Sequence, residues 1–245
     1  MVNPSFPRVL WLVTARSGSK GLPNKNARPL AGLPLLVYRI LGAQQTKVPH
    51  QVWISTDSQA YADLAAANGA LVPFIRPADL ASDTARSVDV VIHAMRWAEQ
   101  QGHHFDALGL LEPTSPFTKP AWLDDAVKRL FSDPVADGIV AVRSVHPSSF
   151  YVQPKGRYLS DVAKRIQATG SLRRQEELEE VTPSGNFYIS KWERLKESMS
   201  LYTEATLMYH VPDPYGLEID RPLDWAWAEF LLKQELIERH DFGVE

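Results

Sequence analysis

VLWLVT at positions 9–14, followed by ARSGSKGLPNKN at 15–26, decides the fold. Val9, Leu10, Trp11, Leu12 and Val13 form a near-continuous apolar run, the pattern of a strand buried on both faces of a parallel sheet. The loop that follows therefore lies at the strand's C-terminal end, the edge where open α/β sheets bind ligands. Gly18 and Gly21 let backbone N–H groups come close to a ligand, while Arg16, Lys20 and Lys25 bring positive charge. Such a segment can wrap a polyphosphate: a nucleoside triphosphate brings about four negative charges, which the loop and a metal would neutralise as a leaving group departs. A solvated basic loop joining strand to helix is the other reading of the same residues. A Walker A loop is excluded, because no Gly-Lys-Ser or Gly-Lys-Thr follows a first glycine at the required spacing.

Outward from this stretch, strand and helix patterns alternate. Helical spacing covers 35–47, 59–67, 86–101, and 120 to about 131, the last with Pro120 in its first turn. Strand patterns cover 51–56, 70–74, 107–112, 137–142, 186–190 and 206–211, and Pro222 opens a last helix whose buried face is read as Leu223, Ala226, Trp227, Phe230 and Leu231. This alternation predicts a Rossmann-like three-layer α/β fold, a mostly parallel sheet with helices on both faces, in a single domain spanning 1–245. Residues 144–183 break the rhythm with polar composition and short blocks of like charge, and read as an inserted flap or dimer-contact lobe or as a mobile surface excursion.

The 245 residues suit one such domain, and a net charge of −3 gives no global footprint for nucleic acid. No cysteine is present, which removes disulfide, thiolate-catalyst and Cys-metal chemistry. No apolar run approaches the ~20 residues of a membrane span and MVNPSFPR lacks a signal-peptide core, so a cytoplasmic protein without membrane contact is expected. The histidines show no metal-ligand spacing. Trp192, Trp225 and Trp227 read as packing residues.

Five segments then stand in order: ARSGSKGLPNKN at 15–26, STD at 55–57, RPADLASDTARS at 76–87, LLEPTSPF at 110–117 and EIDRPLD at 218–224. Together they resemble the acylneuraminate cytidylyltransferases, which make CMP-sialic acid, and their relatives acting on other nonulosonic acids; the resemblance runs from about Val9 to about Leu232. It implies a nucleotidyltransferase, usually a homodimer, that uses Mg²⁺ and CTP to activate a 2-keto sugar acid with release of pyrophosphate. Arg16, Ser19, Lys25 and Asn26 match the phosphate-contacting positions, with Lys20 and Arg28 shaping the field. Arg76 and Ser87 match positions near the cytosine. The other readings are a surface ion pair for Arg76 and helix caps for Ser82 and Thr84.

Glu218 and Asp220, two residues apart, can converge on one hard cation and are the expected metal ligands, with Asp220 also placed among the catalytic residues beside Arg16 and Lys25. Asp224 is read as a complement to the last helix's dipole. By the same resemblance Glu112 falls at an acceptor-side position and Arg174 at the position that helps hold the sugar's carboxylate. The chain departs from the family pattern there: Glu112 replaces a usual glutamine, Glu218 a usual aspartate, TPSGN at 182–186 an Arg-Pro-Asn-Gly-Ala motif, and no lysine follows His146 and Pro147. A carboxylate at 112 would repel an anionic sugar unless protonated, metal-bound or paired, or else it faces water harmlessly. The expectation is thus CMP transfer to a nonulosonic or related 2-keto-3-deoxy sugar acid that need not be N-acetylneuraminic acid. A nucleotidyltransferase acting on a sugar 1-phosphate, a glycosyltransferase of similar topology using EID for metal, and a non-catalytic nucleotide-binding homologue stay open.

Overall fold

Strand β1 (Val9–Thr14) alternates its side chains between two cores, and this fixes the layering. In the computed structural model, which describes residues 6–18, 21–145, 160–169 and 180–242, Val9, Trp11 and Val13 enter one apolar cluster and Leu10 and Leu12 the other. Burial on both faces is what the unbroken apolar run requires. The first cluster is covered by α1 (Leu35–Gln44), α2 (Gln59–Ala67) and α4 (Pro120–Ser132), the second by α3 (Ser87–Gln100) and α6 (Trp192–Ser198).

Among the described residues the sheet has six strands in the order β4 (His50–Ser55), β1, β5 (Ala107–Leu111), β7 (Glu180–Lys191), β6 (Gly138–Val145) and β8 (Thr206–His210). β7 runs antiparallel to both neighbours and the other five strands share one direction, so the sheet is mostly parallel as read from the alternation. A two-residue hairpin, β2 (Pro29–Leu30) and β3 (Leu33–Pro34), turns the chain from the first loop into α1, with Ala31 and Gly32 both at positive φ. The carboxyl ends of β4, β1 and β5 lie side by side and release the segments 56–58, 15–26 and 112–118.

Four expectations need correction. Residues 70–74 are not a strand: Leu71 makes an isolated parallel bridge with Trp53 and nothing more. α1 stops at Gln44 rather than 47, because the Thr46 hydroxyl donates to the Ala43 carbonyl at 2.8 Å and accepts from the Trp11 indole at 3.0 Å, a local alternative to helical bonding. The ends of the supposed lobe, Ser144–Val145 and Glu180–Pro183, are paired residues of β6 and β7. Between them α5 (Ser160–Thr169) is described, and the rest of the lobe lies outside the described residues. The last helix, α7 (Pro222–Lys233), buries Trp225, Ala228, Leu231 and Leu232, whereas Leu223, Trp227 and Phe230 are exposed. Its sequence carries two apolar stripes, and the one that packs holds Trp225, whose ring lies 4.5 Å from the Arg28 guanidinium. Arg28 is therefore a packing partner of α7 as well as a charge beside the loop.

Gly109 on β5 pairs in register with Trp11, and the indole occupies the space a side chain would take: a Cβ at 109 would sit 2.2 Å from the ring. Gly109→Ala should therefore overpack the core and lower stability by about 1–3 kcal/mol. A thermal melt indistinguishable from the parent would contradict this packing.

Candidate active site

Three distant segments meet at Ile219. Its N–H donates to the Thr114 carbonyl at 2.8 Å, and its carbonyl accepts from Lys25 Nζ at 3.1 Å. The same Lys25 ammonium donates to Asp220 Oδ1 at 2.7 Å, and Gly21 lies so close that a Cβ there would be 2.3 Å from the Asp220 carbonyl. The cationic loop after β1 and the acidic segment before α7 thus share one cavity of about 340 Å³, bordered by Arg16, Gly21, Lys25, Asn26, Glu112 and Asp220.

The loop is braced from below. Asn26, on a short 3₁₀ turn, is buried and its amide donates to the Arg16 carbonyl at 3.1 Å. Arg16 itself is held by Asp83 at 2.7 Å. Asp57, just past β4, accepts from the Ser17 N–H and hydroxyl at 2.9 and 2.7 Å; burial works against its ionisation, but these bonds outweigh it and hold the carboxyl below its usual range. Sequence reasoning gave Asp57 no role, although it stands within the STD segment. Ser19 lies outside the described residues.

Arg16 and Thr14 also border a second cavity of about 200 Å³, which Arg76 and Ser87 complete. Arg76 is buried, so it is no surface ion pair. Its Nε donates to Ser55 Oγ at 3.0 Å and a terminal nitrogen to the Ser55 carbonyl, fixing it to the end of β4. Burial and the neighbouring Arg16 lower its pKa to about 10, against the pull of Asp57, which leaves it charged at neutral pH. Ser87 is the first residue of α3. No side chain caps that helix, so Thr84 is not its cap; Arg86 instead pairs with Asp89 at 2.6 Å. Asp224 does behave as read from the sequence, accepting the Arg221 N–H at 2.8 Å in a capping box and pairing with its guanidinium.

Glu112 does not face water harmlessly. A Cβ on Gly185, which has φ +67, would sit 3.3 Å from Glu112 Oε2 and 2.6 Å from Glu218 Oε1, so the two carboxyls close on one point. Burial, then the Glu218 and Asp220 carboxylates, push Glu112 up to about 7, against Arg39 and Lys25. Glu218 is raised as well, by burial and by Asp220. No group of three or more His, Cys, Asp or Glu among the described residues forms a protein metal cage. Mg²⁺ needs none, since one or two carboxylates and substrate phosphates suffice, and the crowded oxygens of Glu218 and Asp220 fit that donor set.

Behind this cluster lies a network the sequence did not disclose. Arg39, inside α1, is buried and donates to the Asn186 carbonyl; burial lowers it to about 9, partly offset by Glu112. The Asn186 amide donates to the Phe117 carbonyl at 3.2 Å, Thr118 Oγ1 at 2.8 Å and the Tyr215 carbonyl at 3.2 Å. TPSGN at 182–186 thus knits β7 to the turn after β5.

A third cavity of about 730 Å³ opens on the far side of Asp220, bordered by Glu218, Arg221, Trp227 and Arg143 of β6. Trp227 is half exposed and stacks on Phe230, so it is not a core residue. Arg174 lies outside the described residues. Arg143 was missed in the sequence, where the only signal was a lone arginine within the strand GIVAVRSV.

Glu112 yields a pH prediction. A carboxyl that holds its proton more tightly in the folded chain than in the unfolded one weakens the fold when ionised; the penalty is absent below about pH 4 and grows to its full size near pH 7. Glu112→Gln should therefore melt several degrees above the parent at about pH 8, from up to about 3 kcal/mol, and gain nothing at about pH 4. Equal melting shifts at both pH values would refute the buried-carboxyl account.

Residues 10–183 match the model of the cytidylyltransferase family. The chain is 33% identical to the CMP-N,N'-diacetyllegionaminic acid synthase of Legionella pneumophila over 239 residues, covering 92% of this chain and 97% of that protein. It is 31% identical to the N-acylneuraminate cytidylyltransferase A of Danio rerio over 218 residues, spanning 89% of this chain but 49% of that one. A solved CMP:2-keto-3-deoxy-manno-octonic acid synthetase complexed with CTP shares the fold, with a TM-score of 0.67 at 15% identity over 93% of this chain and 99% of that one. A basic loop and an acidic segment closing on one cavity, in a chain matched to this extent, make the protein a member of the cytidylyltransferase family.

Proposed function

We propose that the protein transfers CMP from CTP to the anomeric hydroxyl of a nonulosonic or related 2-keto-3-deoxy sugar acid. The observation that carries this reading is the Lys25 ammonium bridging the Ile219 carbonyl and the Asp220 carboxylate, which draws phosphate-binding and acidic segments onto one cavity. The phosphate cavity shares Thr14 and Arg16 with the cavity at Arg76 and Asp220 with the outer cavity, an order that suits base, triphosphate and acceptor side by side. Arg76 and Ser87 would border the cytosine, Arg16, Ser19, Lys25 and Asn26 the phosphates, and Glu112 and Arg174 the sugar. The acceptor hydroxyl oxygen bonds to the α-phosphorus and gives up its proton to solvent, while the bond from that phosphorus to the α,β-bridging oxygen breaks and pyrophosphate leaves. Fixed cations beside the departing phosphates stabilise the charge that develops there, without a covalent intermediate.

Mg²⁺ belongs to this reading as the cofactor, held by Asp220 and Glu218; when bound it neutralises phosphate charge. A homodimer belongs to it on the strength of the family resemblance, and a cytoplasmic location on the sequence expectation above. No helix among the described residues is long and apolar enough to cross a membrane.

Pyrophosphate release, measured across the four ribonucleoside triphosphates with a panel of keto sugar acids and sugar 1-phosphates, tests the reading. Product with CTP and a keto acid is expected. Preference for a sugar 1-phosphate would replace this function, and CTP binding without product from any acceptor would favour a non-catalytic homologue. Lys25→Ala and Asp220→Ala should each lower turnover by well over tenfold, since each removes a charge from the phosphate cavity. Their melting temperatures should move little, because an ion pair with one exposed partner contributes about 0–1 kcal/mol. Unchanged rates in either variant would contradict the assigned roles.

A further inference from the structure

The peptide that joins Arg16 to Ser17 is gripped at both ends. Its carbonyl accepts from the Asn26 amide at 3.1 Å, and its N–H donates to Asp57 Oδ1 at 2.9 Å. The Ser17 hydroxyl donates to Asp57 Oδ2 at 2.7 Å, so both oxygens of the carboxylate serve the same residue of the loop. A peptide unit is planar, and fixing its oxygen and its nitrogen together restrains ψ of Arg16 and φ of Ser17. The Arg16 side chain therefore leaves the main chain in a set direction.

That direction matters twice, because Arg16 borders both the phosphate cavity and the cavity completed by Arg76 and Ser87. The guanidinium of Arg76 is pinned to Ser55, and its backbone N–H donates to the Thr56 carbonyl at 2.8 Å. Arg76 feels repulsion from Arg16 and attraction from Asp57. Asp57 thus holds the backbone beneath one arginine and eases the crowding of two cations around one space.

Asp83 braces Arg16 in a different way. It grips the guanidinium itself, in an ion pair whose side chains are 35% and 46% exposed, and such pairs contribute about 0–1 kcal/mol. A triphosphate with about four negative charges competes directly for that guanidinium. Asp57 holds main chain, which need not be released when a phosphate arrives. Nor is Asp57 required to cap the helix that follows it: α2 is capped by Ser58, whose hydroxyl accepts the Tyr61 N–H at 3.4 Å.

We propose that Asp57 is a positioning residue for the nucleotide, which holds the Arg16–Ser17 peptide so that Arg16 meets the triphosphate in register with Arg76. The proposal rests on the cytidylyl-transfer reading above. Asp57 acts through Arg16 and takes no part in the bond changes at phosphorus.

The test measures KM and kcat in the parent, Asp57→Ala, Asp57→Asn and Ser17→Ala. The substrates are CTP and whichever of N,N'-diacetyllegionaminic acid, N-acetylneuraminic acid and 2-keto-3-deoxy-manno-octonic acid the parent turns over fastest. Asp57→Ala should raise the KM of CTP by about tenfold or more, as for a lost charged hydrogen bond, with the KM of the acid within about twofold of the parent. The inhibition constant of cytidine, which carries no phosphate, should move by less than about twofold. Asp57→Asn keeps an oxygen for the Ser17 N–H and should recover part of the loss, and Ser17→Ala should raise the KM of CTP by less than Asp57→Ala does. Should Asp57→Ala fail to fold, the same pattern in the other two variants, CTP weakened and acid and cytidine unmoved, carries the test. A parent that releases no pyrophosphate from CTP with any acid defeats the cytidylyl-transfer reading and this proposal with it. An active parent defeats this proposal alone if the folded Asp57 variants keep its KM for CTP, or if CTP, cytidine and the acid weaken to the same extent.

Discussion

The Lys25 contact joins the two sides of the cleft. The ammonium reaches across 195 positions of sequence to hold Asp220 at 2.7 Å, and a 3.1 Å bond to the Ile219 carbonyl fixes the direction of approach. A lysine on a flexible stem would ordinarily sample solvent, yet this one is largely covered, with 13% of its side chain exposed. The constraint extends to the backbone, because Gly21 and the Asp220 carbonyl approach too closely for any side chain at 21. The loop after β1 is therefore shaped by the segment before α7 as much as by its own glycines.

Charge is distributed around that contact in a graded way. On the side of Arg76 and Arg16 the cavity is cationic and firmly braced, with Ser55, Asp57 and Asp83 tying the segments together. On the side of Glu112 and Glu218 carboxyls crowd one another, and they are compensated by Arg39, which is buried and hydrogen-bonded to Asn186, by Arg143 and by Lys25. A polyanion entering such a cleft is drawn to one end and repelled at the other. This fixes its orientation before any base is read.

What the sequence disclosed follows from local periodicity. Val9 to Val13 announced a doubly buried strand, Pro120 and Pro222 marked helix starts, and the ordered segments announced which loops border the central cavity. Where the structure differs, tertiary context decided. Thr46 ends α1 because Trp11 supplies a partner from another strand. α7 carries two apolar stripes, and the one that is buried is the one that meets Leu30, Leu35, Tyr38 and Phe117, with Trp225 against Arg28 at its edge. The Arg39–Asn186 network and the placement of Arg143 opposite Thr182 depend on strand register, which a single sequence does not encode in any short window. The departures at 182–186 looked like lost acceptor contacts in the sequence. In the fold, Asn186 instead binds three separate segments together.

Asp220 borders two cavities at once, and a shared boundary has a thermodynamic outcome. Whatever occupies one chamber alters the charge met by a guest in the other, so the two guests must report on each other's presence. Such linkage is reciprocal by necessity: the order in which the substrates arrive can change the rates of assembly, but not the stability of the ternary complex.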